Sequence, residues 1–237
     1  MASPIISTIL FPLLGGVFPA LLWLWFWLKE DIHPEPKKIV VAAFVAGAFS
    51  TLIALPLQKI APHFVGGSID HPSNLLLFLW AGAEELAKYI AAAIVALSSG
   101  YFDEPVDAMI YMISVSTGFA AFENTLFLVR DFAGGNFFQL FVTSNTRFLG
   151  ATLLHIVAST VVGGFLALAF YKRPPMRVMY TTFGLLLGTT LHMLFNFFIL
   201  HETGNGLLTV LLYLWVTVLL VFLLFEKVKH LKQPKNT

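Results

Sequence analysis

The chain has 237 residues, of which 58% are hydrophobic and only 11% charged, and its mean hydropathy is +0.83. A soluble domain carries about 25% charged residues, so this composition excludes a water-facing globule. The net charge of +1 gives no electrostatic case for nucleic acid, and the lack of Cys excludes disulfides and Cys-ligated metal.

Taken in chain order, the apolar runs predict an all-α fold, a polytopic membrane helix bundle of about seven transmembrane helices. Crossing a hydrocarbon core of about 30 Å takes roughly 20 helical residues. Runs of that length fall near 5–28, 39–61, 75–97, 106–129, 148–171, 178–200 and 207–225. The first is not read as a cleavable signal: no basic residue precedes it, and Lys29-Glu30-Asp31 follows it. Trp23, Trp25, Phe26 and Trp27 at its end read as an interfacial anchor. Breakers and charges collect in the connections, and the one between 130 and 147 also holds a short apolar run, 137–142, read as interfacial or re-entrant. The whole of 1–237 reads as a single integral membrane domain without repeats.

Basic residues set the expected orientation. Lys29, Lys37, Lys38, Lys172, Arg173, Arg177, Lys227, Lys229, Lys232 and Lys235 flank one side, against Arg130, Arg147 and Lys59 on the other. The positive-inside rule then puts the N-terminus outside and the C-terminus in the cytoplasm.

An ionisable group at mid-membrane costs at least about 2.5 kcal/mol, so each one is a functional candidate. The third run holds Glu84, Glu85 and Lys88, the fourth Glu123 and Asn124, the fifth His155 and Ser159, and the sixth His192 and Asn196. At 1.5 Å per residue, Glu84, Glu123, His155 and His192 each lie about 10–13 Å from the outer end of their runs. Four helices of alternating direction thus place carboxylates and imidazoles at one level, which scattered packing residues have no reason to do. His33, His63, His71, His201 and His230 read as ordinary loop or interface residues, and His201-Glu202 is not an H-E-x-x-H motif because position 205 is Asn. Gly184 and Gly188 form a G-x-x-x-G read as helix packing.

Two chemistries are open. A buried carboxylate beside an ammonium suits a general base acting on water. Two His with a carboxylate also suit zinc with an open position for water. In either case Asn196 and one His would donate to an oxyanion. A proton-coupled transporter or channel is the alternative for clustered intramembrane Glu, His and Lys, but it needs a polar path to both faces. The inner halves of the third to sixth runs are almost wholly apolar.

Glu84-Glu85-Leu86-Ala87-Lys88, Gly118-Phe119-Ala120-Ala121-Phe122-Glu123-Asn124, His155 after Arg147, and His192-Met193-Leu194-Phe195-Asn196 together resemble the PrsW family over roughly 75–200. The resemblance implies a membrane endopeptidase that cuts a membrane-anchored, single-span protein of the anti-sigma-factor kind from the outer side of a bacterial or archaeal cytoplasmic membrane. It makes Glu84 the water-activating base, supported by Glu85 and Lys88, with Glu123 and His155 lining the same cavity. His192 and Asn196 would hold the oxyanion, or His155 and His192 would bind zinc. The family is similar in turn to the CAAX prenyl proteases, which have an Arg one place beyond Lys88 and a His where Glu123 stands.

Overall fold

Helix ends in the computed structural model follow the local chemistry of the chain, over the residues it describes: 4–66, 68, 71–133, 147–201 and 206–233. Helix α1 (Pro4–Trp27) runs into a 3-10 turn, Leu28–Glu30, and α2 spans Lys37–Val65. The next helix, α3 (Asn74–Ala92), starts where Ser73 Oγ accepts the Leu76 N–H at 3.2 Å, and it ends in a π-helical turn, Ala93–Leu97. Pro105 opens α4 (Pro105–Ala133), a position where its missing N–H costs nothing. Asp107 reaches back to accept the N–H groups of Asp103 and Glu104 at 3.0 and 2.8 Å, which closes that helix start. A π-helical turn, Arg147–Ala151, leads into α5 (Thr152–Leu168), followed by α6 (Pro174–His201) and α7 (Gly206–Lys229).

The described residues thus form the all-α membrane bundle expected, with the seven helices in the expected order. Six of them are long and apolar enough to cross a membrane; α3 is set apart by Glu84, Glu85 and Lys88. Some ends differ. Helix α2 continues through Pro62 to Val65, α4 extends to Ala133, and α6 starts at Pro174. The expected short run at 137–142 and residues 202–205 lie outside the described residues.

Helix α4 is the axis of the bundle. It packs against α1, α2 and α5, while α3 lies against α2 and α6, and α5 also meets α6 and α7. Every residue from 105 to 121 on α4 and from 152 to 164 on α5 is buried. Lipid is as apolar as Leu, so such contacts depend on close approach of backbones rather than on hydrophobic force. Gly47 of α2 and Gly118 of α4 permit it: a Cβ on Gly118 would overlap the Phe44 carbonyl, and one on Gly47 the Val115 carbonyl. In α6 the G-x-x-x-G packs on α5, with Gly184 against Phe165 and Gly188 against the Ala158 carbonyl.

Large apolar side chains such as Phe11, Phe18, Leu212, Leu219 and Leu223 point outward from α1 and α7, as lipid contact requires. The aromatic end of α1 divides in two. Trp25 is exposed and carries Lys29 over its ring at 3.5 Å, as an interfacial anchor would. Trp27 is instead fully enclosed, stacked on Phe222 and Phe225 of α7. Helical spacing turns it inward, so it is a packing residue.

Candidate active site

Four helices bring the polar groups together. Glu84 and Glu85 stand side by side on α3, about 100° apart around the helix axis, and so meet different neighbours. Glu85 is fully buried and fully engaged. Its Oε1 accepts from Lys88 Nζ at 2.7 Å and from His192 Nδ1 at 2.9 Å, and its Oε2 accepts from Ser159 Oγ at 2.8 Å. Glu84 is only half engaged. Its Oε1 accepts from the Gln58 amide of α2 at 2.6 Å, while its buried Oε2 has no hydrogen-bond partner.

That bare oxygen faces the two imidazoles. His192 Nε2 is 3.6 Å from Glu84 Oε2, His155 Nδ1 3.7 Å and Lys88 Nζ 4.0 Å. The outer hydrogen bonds fix the tautomers, because a carboxylate only accepts. His192 donates from Nδ1 to Glu85, so its Nε2 carries the lone pair. His155 donates from Nε2 to Glu123 Oε2 at 3.1 Å, so its Nδ1 is the acceptor; Lys88 Nζ donates to it at 2.9 Å. The two rings stand edge to face, 4.9 Å apart, and the Phe119 ring closes the floor under Lys88 and His155.

A second group of contacts holds the outer rim. Arg147 donates from Nη2 to Glu123 Oε2 and from Nε to Asn124 Oδ1, both at 2.6 Å. Asn124 in turn donates to Thr152 at 2.9 Å. The π-helical turn at the start of α5 is therefore tied to α4 through Arg147. Glu123 and Arg147 are the partly exposed members of the set, at 17% each, whereas Glu84, Glu85, Lys88, His155 and His192 are all buried.

Every residue singled out in the sequence except Asn196 joins this one network. Asn196, a turn beyond His192 on α6, is half-buried, and none of these hydrogen bonds ends on it. Three participants, Gln58, Arg147 and Thr152, were not among the candidates. Gln58 carries no charge and so leaves no mark against an apolar run. Arg147 was noted in the family pattern, but it counted only as a charge of the connection. A separate cavity of about 320 Å³ lies between α5, α6 and α7, lined by Leu154, Val157, Leu194, Phe198 and Leu214 among others. It holds none of the carboxylates or imidazoles and is not this site.

The donor set also fits a metal ion. Glu84, His155 and His192 each offer a ligand atom, all within 4.8 Å of one another. The 3.6 and 3.7 Å separations are close to the roughly 3.4 Å edge that zinc bond lengths give a tetrahedral site. A metal would take the His192 Nε2 lone pair and, displacing the Lys88 ammonium, that of His155 Nδ1; the orphaned Glu84 Oε2 then serves either as a third ligand or as the base beside it. Glu85 and Glu123 hold the far nitrogens of the two His as outer carboxylates do in metal sites.

A helical membrane bundle enclosing buried carboxylates and imidazoles, with one carboxylate oxygen left unpartnered, is the setting a membrane-embedded hydrolase needs. The pattern described as "PrsW family intramembrane metalloprotease" matches residues 35–224, and the chain belongs to that family. The Protease PrsW of Bacillus subtilis (strain 168) is 28% identical over 213 residues, 89% of this chain and 88% of its own. That of Shouchella clausii (strain KSM-K16) is 27% identical over 197 residues, 82% and 86% of the two chains, and that of Clostridioides difficile (strain 630) 24% over 214 residues, 89% and 81%. No solved structure matches the chain. The protein is an integral membrane protein and an intramembrane protease, with relatives among bacteria. The transporter alternative gives way to this assignment.

Proposed function

We propose that the chain cleaves a single-span membrane protein, of the anti-sigma-factor kind, near the outer face of a bacterial cytoplasmic membrane, with Glu84 as the base that activates water. The observation that carries this reading is the bare Glu84 Oε2, buried and aimed at the two imidazoles. Glu85, with both oxygens accepting hydrogen bonds from Lys88, His192 and Ser159, serves to hold those three groups.

His155 and His192 would hold a zinc ion, which when bound lowers the pKa of its water to about 7. The chain's own residues do the rest. Glu84 takes the proton as the water oxygen bonds to the peptide carbonyl carbon, and gives it to the departing amine as the C–N bond breaks. Asn196, on the His192 side and outside the network, is assigned to the oxyanion. Glu123 and Arg147 keep the His155 ring turned and form the partly exposed rim through which water enters. A substrate helix has to unwind there, because its carbonyls are tied up in its own hydrogen bonds. Lys172, Arg173, Arg177 and the basic tail put the opposite face in the cytoplasm.

The test is a co-expressed single-span reporter with a Gly-Pro break near the outer end of its span. The parent protein should cut it on the outer side, as read by mass spectrometry of the fragments. His155→Ala and His192→Ala should abolish cutting at matched membrane levels. A cut on the cytoplasmic side would contradict the orientation, and full activity of both variants would contradict the site.

A further inference from the structure

Helix α2 contains two prolines, Pro56 and Pro62. Proline has no N–H, so Pro62 leaves the carbonyl four residues earlier, that of Gln58, without its helical donor. An unpaired carbonyl in an apolar setting is costly. Here the missing donor comes from the next helix: Trp80 Nε1 of α3 donates to the Gln58 carbonyl at 2.9 Å. The side chain of the same Gln58 then reaches Glu84 Oε1 at 2.6 Å. Trp80 and Glu84 are four residues apart, on one face of α3. Helix α3 therefore grips Gln58 twice, by its backbone and by its amide.

This grip decides how Glu84 is presented. The last torsion of a Glu side chain is broad, with no strong staggered preference. Nothing intrinsic selects which oxygen faces the imidazoles. The Gln58 amide engages Oε1 and leaves Oε2 bare toward His155 and His192.

We propose that Gln58 is the positioning residue of Glu84, and that the pairing of Pro62 with Trp80 is the device that sets it in place. Gln58 lies outside the carboxylate–histidine set and does no proton transfer itself. The inference rests on the assignment of Glu84 as the base, and the experiment separates the two.

The first arm needs no substrate. Melting temperatures of the full detergent-solubilised chain are measured for Trp80→Phe, Pro62→Ala and the double variant. Trp80→Phe removes the N–H and keeps the ring, and should lower the melting temperature by about 2–4 °C. In the Pro62→Ala background the residue 62 N–H can serve the Gln58 carbonyl, so the same change should cost less than about 1 °C by the same reasoning. Equal losses in both backgrounds would overturn the device.

The second arm measures kcat and KM on the Gly-Pro reporter. Gln58→Leu should lower kcat about tenfold or more with KM within about twofold, the mark of a group that acts at the chemical step. Trp80→Phe, the milder variant if Gln58→Leu folds poorly, should lower kcat by a smaller factor and add nothing in the Gln58→Leu background. Parental kcat in Gln58→Leu, with Glu84→Gln inactive, would overturn the positioning role and leave the base assignment standing. Parental kcat in Glu84→Gln would instead sink the base assignment.

Discussion

Glu84 and Glu85 are neighbours in sequence, yet one oxygen of Glu84 stays unpartnered while both oxygens of Glu85 are engaged. Glu85 anchors a buried Lys, a His and a Ser. Removing one partner of a buried charged pair leaves the other uncompensated and costs about 3–5 kcal/mol. Glu85→Ala should therefore lower the melting temperature by roughly 10 °C and abolish activity with it. Glu84 carries an unsatisfied oxygen, a cost held at a functional site. Glu84→Gln should melt no lower than the parent while losing turnover. Glu84 and Glu85 were legible in the sequence because charge inside an apolar run is conspicuous; their division of labour was not. It depends on which side chains of α2, α5 and α6 reach each oxygen, and spacing along α3 says nothing about that. Gln58 was invisible for a related reason, since a neutral amide near a helix end looks like ordinary surface.

The elements hold the site through contacts that tolerate little change. A Cβ on Gly118 meets the Phe44 carbonyl, and Phe119, the next residue, floors the site under Lys88 and His155. Overpacking of this kind costs about 1–3 kcal/mol. Gly118→Ala should lower the melting temperature by about 2–10 °C and reduce activity beyond what its stability explains. The loops at the other end of the bundle are joined differently. His33, before α2, meets Glu104, before α4, at 3.1 Å, and the Glu104 carboxylate holds the pKa of this exposed imidazole above its usual value. Since binding raises the folded-state pKa, the link is fully present below about pH 6.5 and is lost as pH rises through the raised value. NMR titration should show the His33 pKa falling in Glu104→Gln. Among the described residues, the order and number of helices were readable from the apolar runs, and helix ends less so. Pro62, which follows the apolar run 39–61, sits inside α2, and the tryptophan of the next helix donates to the carbonyl it frees.

Across the whole molecule, cleavage near the outer face requires that the loop before α3 lie outside and the end of α3 lie in the cytoplasm. The chain contains no Cys, so single cysteines can be read without background. His71→Cys, before α3, should react with a membrane-impermeant maleimide in intact cells, and Ser98→Cys, after the π-helical turn of α3, only after permeabilisation. Both positions are exposed. The reverse pattern would turn the site toward the cytoplasm. The shared depth of four polar positions, read along the chain at helical rise, anticipated that their side chains would meet. The buried oxygen left bare by Gln58 needed the fold to be seen. The most direct measurement is cleavage of the single-span reporter by Glu84→Gln beside the parent, with both proteins at equal membrane levels and matched melting temperature. Loss of a general base predicts a fall of about 10²–10⁴ in turnover, with the reporter left intact. Turnover within twofold of the parent would contradict the role of Glu84, and with it the account of this site.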